Sequence, residues 1–463
     1  MKKNTRKTNI KTNVLSSKII SIALLIFIIT NAFTGCTVRT EDGNTNIGDN
    51  TSIENNNTNI GNENTKTQNE NTNIKTGGSN SVDFDLGKID VSIKNGNEKF
   101  AVDIFKLLNT EDESKSIFIS PLSISSALSM IYNGAETTTK EAMGKALSYE
   151  GVEMDKLNES YKNLIAHLNN VDPKVELNIN NSIWIRKDEK IKGEMIKEEF
   201  LKTNRDTFSA HVTGLDFNKA EAADTINKWI SEATKGKINK MIAPPISSDV
   251  IMYLINAIYF KGQWTKQFDK KCTFTGTFNT EDGQKKEVQM MTRTGAVEYG
   301  NFENTKIVRL PYGDKKTAMY GILPEEGMKI NDYIEQLSIE KWQELKDSIS
   351  SRKDVILQIP KFKLEYGIKD LNSSLTALGM GEAFGETADF SGIGDNICIS
   401  RVLHKAVIEV NEEGSEAAAA TVGEITTTSA SVPITFIADR PFIFIIADEE
   451  TGTILFMGKL SDI

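Results

Sequence analysis

Residues 412–431 read EEGSEAAAATVGEITTTSAS and lie between two apolar segments typical of β-strands, residues 406–410 and 434–437. The four alanines at 417–420 favour a helix, but Gly414 before them and the threonine-rich stretch after them break any helical pattern. About twenty residues without a core pattern, inside a compact domain, indicate either a functional loop or disorder. Composition alone leaves both possibilities open.

Four further segments accompany this stretch in a fixed order: FISPLSI at 118–124, NAIYFKGQW at 256–264, LHKA at 403–406 and FIADRPFIFII at 436–446. Together the five segments resemble the serpin family in residues, order and spacing from about residue 100 to 460. In that family the alanine-rich stretch is the hinge of the reactive loop. The hinge residues that the resemblance implies are Glu412, Gly414, Ser415, Glu416, Ala417, Ala418, Ala419, Ala420 and Thr421.

The resemblance implies an α+β serpin fold. We expect a single large domain at 89–463 with a main mixed β-sheet, further smaller sheets, about eight or nine helices and an exposed reactive loop at about 412–433. The residue patterns agree with this class, because helical periodicity precedes a region of mostly short apolar strands. Helices are predicted at 100–108, 124–132, 138–147, 154–168, 194–201 and 222–234, and strands at 250–260, 307–310, 318–323, 355–359, 406–410 and 442–447.

The resemblance also implies a function, inhibition of a serine protease, or of a cysteine protease, by a suicide-substrate mechanism. After cleavage, the arm before the scissile bond would insert into the main sheet as a new strand and distort the acyl-enzyme. Insertion requires one small, uncharged face. Side chains alternate along a strand, and the set that would be buried is Ser415, Ala417, Ala419 and Thr421. Glu416 lies on the opposite face, and no proline follows Gly414 before Pro433.

The usual loop length of the family places the reactive bond between Thr428 and Ser429. Counting back from Pro441 places it about two residues later, so the remaining candidates are Thr427 and Ala430. All of these side chains are small. Neither lysine nor arginine occurs between residues 405 and 440, and no aromatic residue occurs between 414 and 435. The predicted target is therefore elastase-like or subtilisin-like rather than trypsin-like or chymotrypsin-like. The alternative is a non-inhibitory chaperone, carrier or adhesive surface protein of the same fold.

Five other residues match positions that govern sheet opening in the family. Ser120, Ser123, Asn256 and His404 match a polar cluster under the centre of the sheet, and Trp264 matches a tryptophan near the point where insertion begins. Without the resemblance, His404 and Trp264 are equally well interpreted as ordinary core residues. The other two histidines, His167 and His211, are predicted to be surface residues.

The N-terminus has the pattern of a bacterial lipoprotein signal. Residues 1–35 combine six lysines and arginines with an apolar run too short to span a membrane. The Phe-Thr-Gly sequence before Cys36 resembles a lipobox, so we expect lipidation of Cys36, export and anchoring on the outer face of the cell membrane; cleavage near Gly35 or an uncleaved anchor are the alternatives. Residues 36–88, rich in asparagine and threonine, are predicted to be a flexible tether. Within residues 82–93, alternating apolar residues suggest a strand packed on the domain.

Charge and motif content exclude several function classes. The net charge is −10 and becomes −16 once the six positive residues of the signal are removed, which disfavours nucleic acid and heparin-like partners. Three histidines and the absence of HExxH, GxSxG, GxGxxG and phosphate-loop motifs argue against an enzyme. We expect no cofactor, no metal site and a monomer. Cys272 and Cys398 are predicted to be free, partly buried thiols.

Overall fold

The computed structural model describes residues 84–187, 196–248, 250–395, 397–415 and 433–463. The signal sequence, Cys36 and most of the predicted tether lie outside these residues, as do Glu416, Ala417, Ala418, Ala419, Ala420, Thr421, Thr427, Thr428, Ser429 and Ala430. None of the helices in the described ranges is long and apolar enough to cross a membrane.

Nine α-helices occur in the described residues: α1 Val91–Glu111, α2 Pro121–Tyr132, α3 Thr137–Leu147, α4 Met154–Leu168, α5 Glu198–Phe208, α6 Glu221–Ala233, α7 Ile330–Glu335, α8 Ile339–Asp347 and α9 Asn372–Leu375. Helix α2 illustrates how the sequence sets a boundary. The hydroxyl of Ser120 accepts a hydrogen bond from the Ser123 N–H, and Pro121 occupies the first helical position, where no N–H is needed.

The described strands are β1 Ile117–Ile119, β2 Val175–Arg186, β3 His211–Leu215, β4 Met252–Gln263, β5 Phe274–Asn279, β6 Lys285–Phe302, β7 Thr305–Tyr312, β8 Thr317–Leu323, β9 Ser350–Pro360, β10 Phe362–Glu365, β11 Lys369–Asp370, β12 Leu403–His404, β13 Val407–Val410, β14 Gly414–Ser415, β15 Ile434–Ile437, β16 Phe442–Asp448 and β17 Ile454–Leu460. Six of them form the sheet that we call the main sheet, in the order β10-β13-β14-β4-β2-β3. Its β2–β3 pair is parallel and its other pairs are antiparallel, so it is mixed.

A nine-stranded sheet and the β11–β12 pair complete the β structure of the described residues. The strand order in the nine-stranded sheet is β1-β17-β16-β8-β7-β6-β9-β15, with β5 paired to β6. Helix α2 contacts both β4 of the main sheet and β17 of the nine-stranded sheet, while α6 packs on β2 and β4. The main sheet is therefore in contact with both α2 and α6. The predicted α+β fold is confirmed.

The segment where the chain enters the fold differs from its predicted conformation. Residues 84–93 pack on the domain, but as a 3₁₀ turn, Leu86–Lys88, and the first turn of α1 rather than as a strand. The cause is local: the Asp90 carboxylate accepts from the Ser92 N–H at 2.8 Å and caps the helix. The ring of Phe84 lies 5.2 Å from the ring of His167 on α4.

Two predictions about side-chain exposure are wrong. His167 is fully buried, and its Nε2 lies 3.1 Å from a carboxylate oxygen of Asp448. It can be buried because this partner, distant in sequence, satisfies its ring nitrogen. Cys272 and Cys398 are free, as predicted, but both are exposed. His211 is exposed, as predicted.

Candidate functional site: the loop hinge in the main sheet

The start of the predicted reactive loop is a strand of the main sheet. Gly414 and Ser415 form β14, which lies between β13 and β4. Ser415 is paired with Val410 on one side and with Gly262 on the other, and Gly414 is paired with Gln263. The loop hinge therefore occupies the position where an inserted strand would begin.

Beyond Ser415 the space between β4 and β13 contains no other strand of the described residues. Residues within 234–238, which follow α6, and Phe456 of β17 also line this slot. Its apolar lining includes Ile258 and Phe260 of β4, Ala406 and Ile408, Ile238 and Phe456. A strand that extended β14 would run into this slot.

Gly414 is required at its position by a close approach of two backbones. A Cβ built on this residue would lie 2.0 Å from the carbonyl oxygen of Gly262, and the φ angle of Gly414 is +156°. The nearest obstruction is backbone, which cannot rotate away as a side chain could. Any larger residue at 414 would displace the hinge from the sheet.

Two buried carboxylates hold the chain just before the hinge. Glu412 pairs with Lys361 at 2.9 Å and accepts a hydrogen bond from the Thr273 hydroxyl at 2.8 Å. Burial acts to raise the pKa of Glu412, but the bonds from Lys361 and Thr273 outweigh it and hold the pKa below its ordinary value. Glu413, also buried, pairs with Lys270. These ion pairs fix the turn that leads into β14.

Trp264 lies at the hinge, where the sequence predicts that insertion begins. Its indole N–H donates to the Asn411 carbonyl at 3.0 Å, and its backbone N–H donates to the Glu413 carbonyl at 2.9 Å. Its ring stacks on Tyr312 with the centroids 4.4 Å apart. The Tyr312 hydroxyl lies 2.7 Å from the Ser415 hydroxyl. Sequence reasoning missed Tyr312, since no local pattern connects it to a loop residue so distant in sequence.

The structure brings the predicted polar cluster together under the main sheet. The Ser120 N–H donates to His404 Nε2 at 3.1 Å, and the Ser120 hydroxyl donates to the Leu455 carbonyl at 2.7 Å. The Ser123 hydroxyl reaches the backbone carbonyl of Asn256 at 3.4 Å. Thus Ser120 links the start of α2 to His404 of β12 on one side and to β17 on the other.

The side chain of Asn256 faces a residue that the sequence did not point to. Its amide donates to Asn181 Oδ1 at 2.7 Å, and the Asn181 amide donates to the Phe208 carbonyl at 2.8 Å. Asn256 thus joins β4 to β2 through side chains and reaches Ser123 only through its backbone. The asparagine-rich composition of β2, LNINNS at 177–182, was the available signal for Asn181.

Acidification is expected to destabilise the native protein through His404. Burial lowers the pKa of His404 to about 4, from an ordinary value of 6.5, and its Nε2 must be unprotonated to accept from Ser120. This stabilisation is complete above pH 6.5 and is lost as the pH falls from 6.5 to 4, by about 3 kcal/mol in all. Urea unfolding at about pH 7 and about pH 4.5 measures the loss. His404→Asn, which does not titrate, should lose less stability; an equal loss would contradict the assignment.

Comparison with known proteins identifies the family to which this chain belongs. The family profile described as "Serpin (serine protease inhibitor)" matches residues 95–463. The chain belongs to the serpin family. A leukocyte elastase inhibitor of Bos taurus is 37% identical to this serpin, over 79% of this chain and 98% of the relative. An uncharacterized serpin-like protein of Methanosarcina acetivorans is 35% identical, over 80% and 88%.

Two solved structures share the fold. The native state of tengpin, a thermophilic serpin, has a TM-score of 0.73 and 32% identity, covering 81% of this chain and 95% of tengpin. Thyroxine-binding globulin in complex with thyroxine has a TM-score of 0.71 and 29% identity, covering 80% and 99%. Members of the family are generally protease inhibitors rather than enzymes.

Proposed function

We propose that this serpin inhibits a serine protease as a suicide substrate, by inserting its cleaved loop into the main sheet. The observation that carries the proposal is the position of β14, which begins a strand between β13 and β4 beside a slot that contains no other described strand. Protein β-sheets add strands at such unpaired edges through backbone hydrogen bonds. If the loop were cleaved, β14 could therefore be extended past Ser415 into this slot.

The pairing of β14 defines which loop residues would be buried. Ser415 is opposite Gly262 and Val410, so an unbroken register places Ala417 between Phe260 and Ile408. It also places Thr421 between Asn256 and His404. Because the Ser415 side chain is buried against Tyr312, the alternate residues Ala417, Ala419 and Thr421 would face the same interior. All three are small and uncharged, which supports insertion.

The expected targets are elastase-like or subtilisin-like proteases. Small residues at Thr427, Thr428, Ser429 and Ala430 suit the shallow pockets of these enzymes, and the similarity to leukocyte elastase inhibitors supports this choice. Mass spectrometry of the C-terminal fragment, released when the complex with pancreatic elastase or subtilisin is denatured, tests both the trap and the bond. We expect the fragment to begin within residues 428–431. Another start, or efficient trapping of trypsin, would contradict the assignment.

We also propose that the protein is exported and anchored on the outer face of the cell membrane by a lipid on Cys36. The motivation is the basic, apolar and Phe-Thr-Gly-Cys sequence of the leader. Cys36→Ala should move the protein from the membrane fraction into the medium without changing inhibition. Cys272→Ala, in which an exposed cysteine of the folded domain is replaced, should stay with the membrane. Retention of the Cys36→Ala protein would indicate an uncleaved anchor instead.

A carrier function is the alternative that one comparison favours. Thyroxine-binding globulin shares the fold and binds thyroxine. The two functions differ in one result: a carrier would be cut by elastase without trapping it. Trapping therefore decides between them.

A further inference from the structure

Tyr312 is held rigidly beside the hinge by three neighbours. Its ring stacks on Trp264 with centroids 4.4 Å apart and meets the edge of Phe260 at 5.1 Å. The ring also packs against β4 at Gly262, where a Cβ would lie 2.7 Å from Tyr312 Cδ1. Only a glycine at 262 leaves room for the ring. The hydroxyl is thus fixed in direction before any loop residue reaches it.

The Tyr312 hydroxyl is fully buried, and among the described residues its hydrogen-bond partner is Ser415. Burial raises the pKa of Tyr312, so the phenol stays neutral and keeps its proton. A buried hydroxyl without a partner is unfavourable. In this arrangement, Tyr312 is satisfied when residue 415 carries a hydroxyl and is seated in β14. Glu412, the other hinge residue of the described chain that has a side chain, bonds instead to Thr273 and Lys361.

We propose that Tyr312 is a positioning residue that seats Ser415 as the first residue of the inserting strand before the loop is cleaved. The hydrogen bond fixes the register of Ser415 where the slot begins. The arm would then insert in a single register, with Ala417 between Phe260 and Ile408. The consequence for inhibition rests on the proposed function. The seating itself is a property of the uncleaved protein and can be measured without a protease.

Hydrogen–deuterium exchange of the intact, uncleaved protein measures the seating directly. Tyr312→Phe removes the hydroxyl but keeps the ring that stacks on Trp264. The amides of Gly414 and Ser415 should exchange about fivefold faster, which corresponds to one net hydrogen bond. Tyr320→Phe, which removes from β8 a hydroxyl that donates to Glu449, should leave these two amides unchanged. Unchanged exchange in Tyr312→Phe, or equal acceleration in both variants, would overturn the proposal.

A double-mutant cycle separates pairing from packing. Ser415→Ala should accelerate exchange at Gly414 by the same factor as Tyr312→Phe, and the double variant should be no faster than either single one. Multiplicative effects would show that the two residues act independently and would overturn the proposal.

Inhibition gives a second readout. Tyr312→Phe should raise the number of inhibitor molecules consumed per trapped elastase about two- to fivefold, because slower insertion lets more acyl-enzyme hydrolyse. Failure of the wild-type protein to trap any protease would contradict the proposed function but not the seating, which the exchange experiment decides. If the wild type traps elastase and Tyr312→Phe traps it equally well, the role of Tyr312 in insertion is contradicted.

Discussion

Replacing Ala417 with arginine is expected to convert the protein from an inhibitor into a substrate. If the inserted arm continues the register of β14, residue 417 would lie between Phe260 and Ile408, in a slot that Phe456 also lines. Burying an unpaired guanidinium there costs several kcal/mol. Insertion is slowed while hydrolysis of the acyl-enzyme is not. The number of inhibitor molecules consumed per elastase inhibited should rise at least tenfold.

Glu416→Arg is the matched control, since it places the same cation one residue earlier. In the same register after insertion, residue 416 would lie beside Lys261 and Glu409, on the opposite face of the sheet. That face already carries charge, and Glu409 offers a partner for the new arginine. This variant should inhibit nearly as well as the wild type. If Ala417→Arg inhibits with the wild-type stoichiometry, insertion of this arm is not the mechanism.

Cleavage of the loop is expected to raise the melting temperature by more than about 10 °C. About a dozen new ladder bonds at a net ~1 kcal/mol each give about 10 kcal/mol. At the unfolding entropy typical of a domain of about 375 residues, this corresponds to a shift of that size. Calorimetry before and after nicking within residues 426–430 measures the change.

The same comparison on Ala417→Arg provides the control for stabilisation. Its cleaved form should gain much less, because insertion of its arm is impeded at the second buried position. Equal melting temperatures of the intact and cleaved wild-type protein would favour the carrier alternative, in which the loop does not enter the sheet.

Much of the fold could be predicted because several elements have strong local patterns. Helix α4 has the predicted bounds, Met154–Leu168, since its apolar residues recur at helical spacing. Strands β8 and β16 are continuous apolar runs and were predicted to within a residue. The family resemblance supplied what local patterns cannot, namely the presence of a main mixed sheet with further sheets beside it.

The missed elements depend on partners distant in sequence. Strand β2 alternates apolar residues with asparagines, which are unfavourable in strands, but the fold provides partners such as the Phe208 carbonyl for Asn181. Strand β17 contains Lys459, which is fully buried. Its ammonium donates to the Asn109 side chain at 2.7 Å and to the Glu113 carbonyl at 2.8 Å near the end of α1. No sequence window contains both members of such a pair.

The candidate site was predicted only in part, because some of its residues also depend on partners distant in sequence. The hinge, Trp264 and the cluster around Ser120 were predicted because they lie in motifs that resemble the family. Tyr312 and Asn181 contact Ser415 and Asn256. These pairs become neighbours only when the end of β7 meets the hinge and β2 pairs with β4.

The most direct test of the central claim is a denaturing gel of the protein after incubation with pancreatic elastase or subtilisin. A trapped acyl-enzyme is covalent, so it survives SDS and heat. We predict a new band near the sum of the masses of the protease and the cleaved inhibitor, absent when the protease is inactivated beforehand and strongly reduced for Ala417→Arg. Complete cleavage of the loop with no such band, and with the protease still active, would contradict the account.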